Sequence, residues 1–211
     1  MSAGQVVRDL LGPRWFKPLG DAYRAFFVDL TAVAESFPQL PRSGSILEVG
    51  GGDGQLLNAL LARFPSAHAT MIDISPRLGA ALDTTLLARV QLLPNTSIRQ
   101  YIERGHPPPA LISVCDVVHH VPPEQRVRFF SDLRPLIGPD TLLVVKDIRP
   151  GTTRGYLSYL ADRYISGDRS VSLLDESALE TLVKSAIPGV RAERTPLFDR
   201  DAPNYAIVFR R

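Results

Sequence analysis

The chain has 211 residues, 45% hydrophobic and 22% charged, with a formal net charge of +2. That suffices for one α/β domain with a proper core, or one domain with a small cap, and no basic run stands out as a nucleic-acid footprint. A single cysteine, Cys115, excludes an internal disulfide framework and a multi-cysteine zinc site, and its apolar neighbours suit a small buried residue. No segment approaches the ~18 consecutive apolar residues of a membrane span. The polar start of the chain does not read as a secretory signal, so a cytosolic protein is expected.

Val6 to Leu11 and Asp21 to Phe37 read as helices, the first broken by Gly12-Pro13. In the second, Tyr23, Phe26, Phe27, Leu30, Val33 and Ala34 recur at helical spacing, as a core stripe or a lid would. A turn-rich linker from Pro38 to Ser45 follows. Strand one spans Ser45 to Val49 and helix one Gln55 to Arg63. Strand two spans about Ala69 to Ile74. Ser75-Pro76, a cap residue before a first-turn proline, predicts a helix to about Leu87. Strand three covers Val90 to Leu93, with a helical piece near Ile98 to Arg104. Strand four, Ala110 to Cys115, is apolar throughout, as for a strand buried on both faces.

Pro122-Pro123-Glu124 opens a helix carrying Val127, Phe129, Phe130, Leu133 and Leu136. Strand five, Thr141 to Lys146, is again apolar, and a mixed segment from Asp147 to Asp168 follows. Asp175 to Ala186 is a capped helix. Two strands, about Val190 to Leu197 and Tyr205 to Arg210, have no helix between them and must pair antiparallel. The alternation predicts an α/β, doubly wound, mostly parallel sheet of seven strands ending in a reversed strand. Residues 1–44 are expected to form a helical cap and linker, and 45–211 the main domain.

The decisive stretch is Glu48-Val49-Gly50-Gly51-Gly52-Asp53-Gly54, between strand one and helix one. A helix N-terminus attracts anions, and glycines admit close approach of a ligand to the backbone. The dinucleotide pattern G-x-G-x-x-G fails here: from Gly50 and Gly52 its third glycine falls at Gln55, and from Gly51 its second falls at Asp53. No Gly-Lys-Ser/Thr follows, so the phosphate-loop pattern fails as well. The turn suits a ligand without a pyrophosphate.

These residues resemble motif I of the class I S-adenosylmethionine-dependent methyltransferases, a family with a Rossmann-like sheet and a reversed last strand. The resemblance implies S-adenosyl-L-methionine as cofactor. It also implies a loop of Gly50, Gly51, Gly52 and Gly54 whose backbone holds the methionine end, with Glu48 ordering that end through its amino group or water. Asp73, closing strand two, takes the ribose hydroxyls, and Ile74 lies against the adenine. Where the family often has an acid for the adenine amino group, Pro94-Asn95-Thr96-Ser97 has none; Asn95 or Thr96 is the substitute acceptor.

After strand four come Cys115-Asp116-Val117-Val118-His119-His120-Val121. Asp116 reaches the cofactor edge, and His119-His120 resembles the paired-histidine segment of small-molecule and lipid-quinone methyltransferases. Either histidine is a candidate general base for a hydroxyl or amine acceptor, and either alternatively serves to cap the next helix or bond a carbonyl. Tyr159 and Asp162, three apart on a helix, are candidates for orienting or deprotonating the acceptor. A metal site is not expected, since no third ligand has recognisable spacing.

The expected activity is methyl transfer to the oxygen, nitrogen or carbon of a small molecule, of biosynthetic type. Neither a nucleic-acid partner nor a membrane span is expected, and a homodimer is left open. The competing classes are a nicotinamide-dependent oxidoreductase and a non-catalytic cofactor-binding protein of the same fold. The glycine spacing argues against the first, and intact Gly50, Gly52, Gly54 and Asp73 against the second.

Overall fold

Apolar runs that cannot face water on either side become the centre of the sheet. In the computed structural model, which describes residues 30–40, 44–151, 171–194 and 204–211, the elements in chain order are α1 (Leu30–Ser36), β1 (Ser45–Val49), α2 (Gln55–Arg63), β2 (His68–Ile72), β3 (Val90–Leu93), α3 (Ile98–Glu103), β4 (Leu111–Cys115), α4 (Arg126–Leu133), β5 (Leu142–Ile148), α5 (Glu176–Ala186), β6 (Arg191–Arg194) and β7 (Asn204–Arg210). Short 3-10 turns lie at Thr84–Arg89, Val118–His120, Pro123–Gln125 and Arg134–Leu136. The expected helix at Val6 to Leu11, the start of the one at Asp21, and the insert carrying Tyr156, Tyr159 and Asp162 lie outside the described residues.

The seven strands run in the order β3-β2-β1-β4-β5-β7-β6. β1 to β5 pair in parallel, whereas β7 runs antiparallel to both β5 and β6. This is the doubly wound, mostly parallel sheet with a reversed final strand. Every residue of β5 is buried, as a strand covered on both faces requires.

Alternation along the strands sorts side chains into two cores. Leu47, Val49, Ile112, Val114, Leu143 and Val145 pack on one face against Phe130 and Leu133 of α4 and Leu179 and Val183 of α5. Ile46, Met71, Leu111 and Val144 pack on the other against Val33 of α1 and Leu57, Leu60 and Leu61 of α2. The helices carry local signals. Ser97 and Gln100 form a reciprocal capping box at α3, and Asp175 caps α5 by accepting from the Ala178 N–H.

Two sequence expectations fail between β2 and β3. Strand two stops at Ile72, and Ser75-Pro76 opens no α-helix; the chain stays irregular up to the 3-10 turn Thr84–Arg89. Long-range bonds outcompete the local helix signal. The Asp73 carboxylate accepts from the Ser75 N–H at 2.7 Å. Gly79 donates to the Gly52 carbonyl at 2.9 Å and Ala81 to the Asp53 carbonyl at 2.8 Å. The segment is thus strapped along the glycine loop. Strand five in turn extends to Ile148, because β7 pairs with it through Asp147 and Ile148.

The strand order reverses between β1 and β4: β2 and β3 lie on one side of β1, and β4 and β5 on the other. Ligands of open α/β sheets bind outside the carboxyl ends of the strands at such a switch point. Gly50 follows β1 there, and Asp116 follows β4.

Candidate active site

The glycine loop is held against β2. The Gly50 and Gly51 N–H groups donate to the Ile72 carbonyl at 2.9 and 3.4 Å, and the Gly52 N–H donates to Asp73 Oδ2 at 3.1 Å. Gly50 has φ +70°, and a Cβ there would stand 2.5 Å from Val117 Cγ2. Gly52 has φ +55°, and a Cβ there would meet nothing within 4 Å. One glycine is demanded by packing, while the other leaves open room above the backbone.

Two cavities flank this loop. The larger, about 550 Å³, is lined among others by Asp73, Ile74, Thr96, Ser97, Val117 and His120. The smaller, about 340 Å³, is lined by Leu30, Val33, Glu48, Gly50 to Gly52, Asp53, Gln55, Leu56, Cys115, Asp116 and Lys146. Gly50 and Asp116 line both. The two cavities therefore meet over the carboxyl ends of β1 and β4.

On the larger side, Asp73 spends one acceptor position on Gly52 and one on Ser75. A carboxylate offers about four, so two remain for hydroxyls. Ile74 stands 81% exposed at the cavity wall, apolar surface that a flat ring would cover. Thr96 lines the cavity, but its hydroxyl donates to the Pro94 carbonyl and accepts from Arg104. Asn95 is exposed, adopts φ +50° and is not among the lining residues.

On the smaller side, Glu48 is only 3% exposed, and its Oε2 has no hydrogen-bond partner among the described residues. Burial, with the charge of Asp53 behind it, pushes this carboxyl up to about 8 from an ordinary 4.5. The unfolded chain loses this proton near 4.5 and the folded chain keeps it to about 8, so folding stability falls as pH rises across that window. At ~1.4 kcal/mol per pH unit, the upper limit of the loss is roughly 5 kcal/mol. Glu48→Gln is expected to flatten the slope of urea-unfolding stability between pH 5 and 8 and to leave the variant the more stable protein at pH 8.5. An unchanged slope would mean that Glu48 is ionised in the folded chain. Cys115 beside it is only half-buried rather than fully buried as its apolar neighbours suggest, because it lies at the cavity wall, and its thiol is pushed up to about 12, chiefly by desolvation, which makes it inert as a nucleophile.

Asp116 combines a position at the edge of both cavities with backbone strain: φ is +56°, in the left-handed region. The turn is held from β5, since the Asp116 N–H donates to the Lys146 carbonyl at 3.0 Å and Lys146 Nζ lies 2.7 Å from both carboxylate oxygens. Such strain persists where the surroundings enforce it, and it clusters at functional sites.

The two histidines part company. His120 lines the larger cavity. His119 is 1% exposed, its ring 4.1 Å from that of His120 and tilted by 47°. Its Nδ1 is hydrogen-bonded to Asp147 Oδ1, and its backbone N–H donates to Asp147 Oδ2 at 3.1 Å. The Ser172 N–H closes on the His119 carbonyl at 3.0 Å. Asp147 already accepts from the His119 and Ile148 backbone N–H groups, so we assign Nδ1 as the ring donor to it. An orienting acid behind an imidazole is the arrangement of a general base.

Asp116, His119 and Asp147 offer ligand atoms within 4.8 Å of one another. The direct imidazole–carboxylate bond and the ammonium on Asp116 already engage these groups, which suits hydrogen bonding better than a cation. Lys146 and Asp147, given no role from the sequence, are the charged residues that strand pairing adds to this site. The available signal is a cation and an acid closing an otherwise apolar strand.

A family described as a methyltransferase domain matches residues 22–186, and the chain belongs to that family. Phenazine-1-carboxylate N-methyltransferase of Pseudomonas aeruginosa is 34% identical over 100 residues, 43% of this chain and 30% of that protein. The structure resembles that of an O-methyltransferase family 2 protein from Planctomyces limnophilus in complex with apigenin, with a TM-score of 0.71 at 19% identity over 93% of this chain and 61% of that one. It also resembles human N-acetylserotonin methyltransferase in complex with S-adenosylmethionine, with a TM-score of 0.68 at 17% identity over 87% of this chain and 52% of that one. At these identities the two structures share the fold. The chain spans less than two thirds of the length of each of these three proteins. Among the described residues, no helix is long and apolar enough to cross a membrane.

Proposed function

We propose that this chain binds S-adenosyl-L-methionine and directs its methyl group to an oxygen, nitrogen or carbon atom of a small-molecule acceptor. The observation that carries this reading is the pair of joined cavities at the switch point, with Asp73 on one side and Glu48 on the other. Asp73 has two acceptor positions left for ribose hydroxyls, and Ile74 offers its exposed face to the adenine. The buried Glu48 Oε2, unpartnered among the described residues, fits the amino group of a methionine end, and the open space over Gly52 gives that end room. The kinship with a phenazine-1-carboxylate N-methyltransferase supports a small acceptor.

S-adenosylmethionine supplies a methyl group already activated on a sulfonium, so the chain has chiefly to position the partners. His119, oriented by Asp147, is the group we assign to take the proton from a hydroxyl or amine acceptor, and the ring of His120, itself part of the larger cavity's lining, packs against it at 4.1 Å. Asp116 stands where the two cavities meet, at the reacting centre. Tyr159 and Asp162 remain candidates for holding the acceptor.

The test is a thermal-shift measurement on the full chain. S-adenosylhomocysteine at about 100 times its Kd should stabilise the protein by ~2.7 kcal/mol, a rise in Tm of roughly 5–10 °C for a chain of this size. NAD at the same concentration should leave Tm unchanged. The opposite pattern would make the chain a nicotinamide enzyme, and no shift with either would remove the cofactor site.

A further inference from the structure

The smaller cavity has a feature that the methyltransferase reading does not use. Lys146 is a buried cation, 1% exposed, at the cavity wall, and its partner Asp116 is 42% exposed at the cavity edge. Burying an ammonium is costly, and an exposed carboxylate repays only part of that cost. A second anion inside the cavity would complete the compensation. Lys146 is also the one cationic side chain among the described residues lining this cavity.

Several backbone donors of the glycine loop are already engaged. Gly50 and Gly51 donate to the Ile72 carbonyl, Gly52 to Asp73, Gly54 to the Gly51 carbonyl and Gln55 to Asp53 Oδ1. These loop donors are therefore less available to a carboxylate, and a side-chain cation would complement what the first turn of α2 offers. On the same face of the sheet, β1 brings Glu48, β4 Cys115 and β5 Lys146, with Cys115 and Lys146 paired in register. An acid and an ammonium thus face one small space, the complement of an amino acid's ammonium and carboxylate.

Resting on the reading above, we propose that Lys146 pairs with the α-carboxylate of the cofactor's methionine end and sets the preference of the site for a ligand carrying that carboxylate. Asp116 holds the ammonium at the cavity wall from the strained turn after β4. Glu48 meets the amino group on the other side. Lys146 is a specificity-determining residue for the cofactor, supplied by β5 rather than by the glycine loop.

The experiment is calorimetric titration of the full chain with S-adenosylhomocysteine and with its decarboxylated analogue, which keeps the amino group. Wild-type protein should prefer S-adenosylhomocysteine by roughly 10–100-fold, the range for one charge-assisted contact. Lys146→Met should erase the preference by weakening S-adenosylhomocysteine alone, and Lys146→Arg should restore most of it. A preference that survives in folded Lys146→Met, or is missing from the wild type, overturns the inference. Should Lys146→Met fail to fold, the wild-type preference and its retention in Lys146→Arg carry the test. Failure of the wild type to bind S-adenosylhomocysteine at all would overturn the methyltransferase reading, and this inference with it.

Discussion

Replacing Asp147 with alanine is expected to destabilise the chain by on the order of 3–5 kcal/mol, the cost of breaking a buried charge-assisted network. The Asp147 carboxylate is wholly enclosed and accepts from the His119 backbone at 3.1 Å, from the Ile148 N–H at 2.8 Å and from the His119 ring. Alanine orphans all three donors, and water does not reach them. The urea midpoint should fall with little change in m. Asparagine in its place preserves shape and most hydrogen bonds, so Asp147→Asn should fold. The amide no longer pins the proton on Nδ1, so the share of His119 with a lone pair on Nε2 falls. If His119 is the base, turnover drops by roughly 10²–10⁴-fold with cofactor Kd unchanged. Wild-type turnover in folded Asp147→Asn would reduce the pair to a structural role.

Asp73→Ala is expected to weaken S-adenosylhomocysteine by about 10²–10³-fold, from the loss of two hydrogen bonds to a charged acceptor. The same side chain positions the Gly52 N–H at 3.1 Å, so the loop loosens as well. The effect should be equal for S-adenosylhomocysteine and its decarboxylated analogue, because the ribose is common to both. That separates Asp73 from Lys146, whose loss is expected to be confined to the carboxylate. Titration of the two ligands into the wild type and each variant gives the six values needed; unaltered binding in Asp73→Ala would remove it from the site.

Much of the fold is legible in the chain because its signals are local. Ser45–Val49, Gln55–Arg63 and Val90–Leu93 begin and end where hydrophobic period and turn chemistry change. The doubly apolar runs of β4 and β5 announce a buried parallel sheet, and two strands without a helix between them announce the reversed β7. The glycine loop is equally plain, since its spacing excludes a pyrophosphate loop before any coordinate is known. Local signals fail where contacts between distant residues outweigh local preference. Ser75-Pro76 carries a sound helix start, yet Gly79 and Ala81 are bonded to Gly52 and Asp53 instead.

The histidines mark the same boundary at the site. Two adjacent imidazoles are indistinguishable in a string of residues, and both are candidates there for base or structural cap. They become unlike only when β5 delivers Asp147 beneath one of them, leaving the other at the cavity wall. Lys146 likewise looks like an ordinary charge at a strand end until Cys115 and Glu48 are seen on its face of the sheet. The glycine spacing thus excludes a pyrophosphate loop, and the period of the apolar residues determines the sheet. Which buried charge answers which is decided by strand register, because Lys146 meets Asp116 from 30 positions away and Asp147 meets His119 from 28.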